Sequence, residues 1–188
     1  MKITFLSLLA IALASGLSAD FEEPSEAARA KQAVTDFSAA LKSELVAAMQ
    51  SGGPVEAIEV CHQRASVIAE QVSGATGMTL SRVSSRNRNP SNAPNDWQAA
   101  VLLDFEARKQ SGEEAGALSW YEHAETTAGT EFRFMQAIPT GGICLQCHGT
   151  EIAEPVAHKL AELYPDDKAT GFSAGDLRGA FVVTASAD

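Results

Sequence analysis

The sequence predicts an α+β domain built on an antiparallel sheet, and three observations carry that prediction. Two apolar stripes of helical period occupy residues 25–72, two alternating runs follow at 118–138, and a glycine-flanked apolar run lies near the end.

Residues 1–19 read as an export leader. Lys2 gives the positive start, Ile3 to Ala14 a mostly apolar run, and Leu17-Ser18-Ala19 a small-residue exit before Asp20. The run is shorter than the roughly 20 apolar residues a spanning helix needs. Cleavage near Ala19 and release to the periplasm are expected, with residues 20–188 forming one domain.

Within that domain, Ser25 to Gln50 places Val34, Phe37, Leu41, Leu45 and Ala48 on one helical face, and Ser51-Gly52-Gly53-Pro54 ends it. A second helix, Val55 to Val72, carries Ile58, Cys61, Ala65, Ile68 and Val72 as its stripe. Met78 to Val83 reads as a short strand, running into the turn-forming stretch Ser84 to Pro94. Asn95 is placed to cap a helix bearing Trp97, Val101, Leu102 and Phe105, with Gln98 completing a capping box. Leu118–Ala124 and Glu131–Ile138 form an expected hairpin across Glu125–Thr130, with Phe132 and Phe134 on one face. A helix over Glu154–Leu163 tolerates Pro155 in its first turn, and Leu177–Thr184 is the final strand.

The 188 residues carry 24 Asp and Glu against 14 Lys and Arg, a formal charge of -10. Such a surface repels nucleic-acid phosphates and anionic headgroups and favours basic protein partners. No second long apolar run follows the leader, so no integral membrane segment is expected beyond it. Three cysteines are an odd number for an oxidising compartment, and a pure disulfide framework leaves one unexplained.

Cys144-Leu145-Gln146-Cys147-His148 accounts for two of them. Two thiols at this spacing can add across the two vinyl groups of a haem, and the histidine that follows presents imidazole to the iron. One such motif implies one covalent haem c. A redox dithiol would not require His148, and no thioredoxin-like strand pattern precedes the motif. A zinc site would need a fourth ligand, such as Cys61, and a second close ligand pair is missing. A Cys144–Cys147 disulfide would close a small, strained loop.

Side chains able to serve as the second axial ligand are Cys61, His62, Met78, His123, Met135 and His158, and spacing alone does not choose among them. Cys61 leads slightly, because a free thiol in an oxidising compartment is best protected when buried or metal-bound. Arg82, Arg86 and Arg88 stand out in an acidic chain as groups suited to clamp haem propionates; the bland alternative is a solvated loop whose asparagines serve their own turns.

Four stretches in order, Ala57 to Cys61, Arg82 to Pro94, Cys144 to Gly149, and Gly171-Phe172 with Gly175 to Gly179, together resemble the PAS-like c-type haem domain family of cyanobacterial haem proteins and extracytoplasmic sensor domains. The resemblance implies a PAS-like sheet flanked by N-terminal helices and histidine and cysteine axial ligands, which map onto His148 and Cys61. A redox- or gas-sensing module is expected: reduction weakens the thiolate bond and opens a site for a small diatomic ligand, and any signal is expected to pass to a separate signalling or redox partner. The alternative is a simple periplasmic electron carrier. An enzyme is not expected: no distal His and Arg pair stands at recognisable spacing, and a thiolate ligand would block peroxide.

Overall fold

The computed structural model describes residues 24–186, so the leader expected at 1–19 lies outside the described residues. Helix α1 spans Glu26–Ser51 and begins where the Ser25 hydroxyl accepts from the Ala28 amide. One residue, Gly52, separates it from α2, Gly53–Thr76, in place of the four-residue break expected at Ser51 to Pro54. Pro54 sits in the first turn of α2, where its missing N–H costs nothing. The second helix also runs a turn beyond Val72. Gly74 is tolerated inside it, and Gly77, at φ 69, supplies the left-handed residue that ends it.

Strand β1 is Thr79–Val83, α3 is Asp96–Gln110, and β2 and β3 are Ser119–Thr126 and Gly129–Pro139. The capping box at Asn95 and Gln98 forms as the sequence predicts. The hairpin loop is shorter than predicted. Thr126 pairs with Gly129, and its hydroxyl bonds both Gly129 O and Ala128 N, so polar residues assigned to the loop join the ladder. The chain continues through the one-turn helix α4, Leu145–His148, then α5, Glu154–Leu163, and β4, Leu177–Ser186.

The four strands form one antiparallel sheet in the order β1-β4-β3-β2. Alternation along β3 sends Phe132 and Phe134 to one face and Met135 and Ala137 to the other. The first pair packs with Phe37 of α1, Ile68 of α2 and Leu80; the second packs with Val101, Leu102 and Phe105 of α3. The sheet is thus covered on both faces, and each large side chain fully buried there contributes about 1.5–3 kcal/mol. A third, smaller apolar cluster joins Ile58 of α2 to Val156 and Leu160 of α5, at the end of the sheet where the Cys-x-x-Cys-His segment lies. Among the described residues no helix is long and apolar enough to cross a membrane.

Candidate functional site

Cys144 and Cys147 stand one helical turn apart, because Cys144 closes a short 3-10 turn that passes directly into α4. The turn stops at Gly149, whose amide donates to Leu145 O at 2.9 Å. A Cβ at that position would lie 2.5 Å from the same oxygen, so glycine is required directly after His148. All three cysteines are free thiols. Cys147 packs against the Ile58–Val156–Leu160 cluster, which joins the motif to α2 and α5, and burial pushes its thiol pKa up.

His148 Nδ1 lies 2.6 Å from the carbonyl oxygen of Ala169. A carbonyl only accepts, so Nδ1 carries the proton and Nε2 keeps its lone pair. Burial, followed by the charges of Arg178 and Arg88, pushes the imidazole pKa down to about 3. The ring is therefore neutral at physiological pH, the state a metal ligand requires.

Ala169 is itself held. Its amide donates to Asp167 Oδ1 at 2.8 Å, and Asp167 Oδ2 accepts from Arg88 Nε at 3.1 Å, with both side chains 11% exposed. Arg88 Nη2 also donates to Cys147 O at 2.5 Å and Ala169 O at 3.3 Å. A single guanidinium thus ties the arginine–asparagine loop to the motif and to the segment that orients His148. Backbone bonds from Gly171 to Gly149 O, Phe172 to His148 O, and Lys168 to Asn87 O close the same assembly. The asparagines largely serve turns: Asn89 accepts from Ser91, and Asn87 donates to Asn89 O.

Cys61 sits half-buried on α2, which packs against α4. Burial pushes its thiol pKa up, against the opposing pull of Arg82 and Arg88. The same two arginines act on His148, and Arg88 acts on Cys147 as well, so Cys61, Cys147 and His148 share the field of Arg88. The other axial candidates lie elsewhere or face outward. Met78 and Met135 are fully buried in the two sheet-face cores, His123 pairs with Glu26 at 2.7 Å, and His158 is exposed on α5. His62 neighbours Cys61 in sequence but is exposed, edge-on to Tyr164.

The arginines divide. Arg86 is exposed, stacks 3.9 Å above the Phe172 ring, and donates to Thr170 O. Arg88 is spent on Asp167 and two carbonyls. Arg82 lies over Phe37 at 5.4 Å, has no hydrogen-bond or ion-pair partner among the described residues, and is pushed down in pKa by burial. Arg178 is a fourth member that sequence reasoning passed over. Its Nη1 donates to Ser84 Oγ and Arg86 O, its Nε is buried without a partner, and burial with neighbouring arginines pushes its pKa down to about 10. The available signal was an arginine inside an otherwise apolar, glycine-flanked strand.

Two thiols one turn apart, a neutral imidazole with a free nitrogen, a third thiol and uncompensated arginines complement an iron macrocycle bearing vinyl and carboxylate groups. Among the described residues no three His, Cys, Asp or Glu side chains are grouped to hold a bare ion.

Fold and site together define an α+β, PAS-like domain with a Cys-x-x-Cys-His turn at one end of its sheet. The chain belongs to the Tll0287-like family, whose model matches residues 18–186. Its structure resembles the crystal structure of the cyanobacterial heme-protein Tll0287, with a TM-score of 0.61 and 22% identity over 84% of this chain and 95% of that one. That likeness shows a shared fold. No curated protein matches the chain.

Proposed function

We propose that this chain is an exported periplasmic protein carrying one covalent haem c on Cys144 and Cys147, and that it serves as a redox- or gas-responsive module rather than an enzyme. The observation that carries the reading is the state of His148, which directly follows two free cysteines and is buried, neutral and oriented so that Nε2 is free. Membership of the Tll0287-like family and the likeness to a cyanobacterial haem protein support the cofactor. Haem would supply a one-electron iron couple and, with an axial position open, a place for a diatomic gas.

His148 would bind from one side through Nε2 and Cys61 from the other through Sγ as a thiolate, which favours the ferric state and a low potential. The two sides are held differently. His148 is fixed at its ring by Ala169 O and at its backbone by Phe172, whereas Cys61 is positioned by its helix. Cys61 is therefore the exchangeable side. A separate redox or signalling partner reads the change, and the charge of -10 favours a basic one.

The test is to express the full chain with its leader, purify the exported protein and weigh it. A mass gain of one haem is expected, with different ferric and ferrous spectra, CO uptake on reduction, and no turnover of peroxide. Cys61→Ala should change the ferric spectrum. An unchanged spectrum would remove Cys61 from the iron, and reduced protein that ignores CO and NO would leave a simple electron carrier.

A further inference from the structure

Four guanidinium groups surround the His148 end of the sheet, and their bonding separates them into two pairs. Arg86 and Arg88 act within the protein: their donors go to the carbonyls of Thr170, Cys147 and Ala169 and to the carboxylate of Asp167. Arg82 and Arg178 have no counter-ion. The side chain of the first has no hydrogen-bond partner among the described residues, and the second, whose Nη1 donates to Ser84 Oγ and Arg86 O, keeps a buried Nε with none.

Leaving a buried donor unpaired costs about 1–3 kcal/mol, and more when it is charged. Arg178 Nε is such a donor; the charge of Arg82 lowers the proton affinity of Arg178 further, and Asp167, the carboxylate in reach, is already paired with Arg88. Each neighbours an aromatic ring: the guanidinium carbon of Arg82 lies 5.4 Å from the centre of Phe37 and that of Arg178 5.2 Å from the centre of Phe172. A guanidinium beside an aromatic ring retains N–H donors that can bond a carboxylate.

We infer that Arg82 and Arg178 form the anion site of this domain and take the two propionate carboxylates of the haem, while Arg86 and Arg88 hold the backbone around it. The inference rests on the haem reading above and assigns Arg178 a binding role that the loop sequence did not suggest.

The experiment removes the thioethers so that affinity can be read. Full-length Cys144→Ala/Cys147→Ala protein is titrated with hemin and with hemin dimethyl ester, whose propionates carry no charge, and followed by absorbance. Hemin should bind at least about tenfold tighter than the ester, since bonds to charged groups are the strong ones. Adding Arg82→Gln and Arg178→Gln should abolish that preference, and adding Arg86→Gln should leave most of it. A preference that survives the loss of Arg82 and Arg178 overturns the assignment.

A second reading uses the exported, covalently loaded protein and does not depend on that background folding. In resonance Raman spectra the propionate-bending bands should shift in Arg82→Gln and Arg178→Gln and stay in place in Arg86→Gln; unshifted bands in the first two overturn the assignment. Absence of haem from the wild-type protein is a separate failure, that of the haem reading itself.

Discussion

Asp167 and Asp176 bracket the loop that orients His148, and each is tied to its surroundings in its own way. Asp167 passes the hold of Arg88 on to Ala169, so its carboxylate acts on the imidazole through one backbone unit. Asp176 accepts from the Ser173 amide at 2.7 Å and from Lys109 at 3.3 Å, and the amide bond chiefly holds its carboxyl below the usual range. A depressed carboxylate contributes stability that is fully present above its unfolded pKa, about 3.9, and lost as pH falls through the lower folded value. Asp176→Asn should therefore flatten the acid limb of stability. Denaturant midpoints taken from about pH 5 down to about pH 2 should fall less steeply than in wild type, by a small amount because the side chain is partly exposed. The Cys-x-x-Cys-His motif was legible because it is contained in five consecutive residues. The hold on its histidine was not, since Arg88 and Asp167 stand 79 positions apart and nothing local to either announces the other.

Helix α3 shows what local sequence can specify. Asn95 and Gln98 cap each other's backbone, and the helix they start places Val101, Leu102 and Phe105 over the sheet face opposite α1 and α2. Asn95→Ala should lower stability by about 1 kcal/mol, seen as a reduced urea midpoint with unchanged slope, and Asn95→Ser should restore most of it. The α1–α2 junction and the β2–β3 loop were less legible for a shared reason. Composition marks where a chain is able to turn, but the number of residues the turn consumes depends on what the flanking segments gain by continuing. Two or more turns from the junction, Arg64 grips Glu44 through both carboxylate oxygens and links α1 to α2. In the hairpin, Thr130 Oγ1 donates to Glu125 Oε1 at 3.0 Å and lengthens the ladder through residues that look like loop.

Across the sheet the last strand is inserted between the first and the third, so β4 makes two of the three pairings and carries Arg178 to the end of the sheet where β1 carries Arg82. This arrangement was legible as an antiparallel α+β class but not as an order, because each pairing of β4 joins segments far apart in sequence. The same remoteness applies to Cys61 and His148, which are separated by 87 positions. Ligation by both would close a ring of that length. By analogy with a disulfide of similar span, such a closure removes about 4–5 kcal/mol of freedom from the unfolded chain. Ferric protein should accordingly resist urea better than ferrous protein, and Cys61→Ala should erase the difference between the two redox states; equal midpoints in wild type would mean that both ligands stay bound on reduction. With the ligation proposed here, the half-buried position of Cys61 on α2 would have a mechanical meaning: one electron would decide whether the polypeptide is a tethered ring or an open thread, and a partner would sense that choice as the ease with which α2 lifts away.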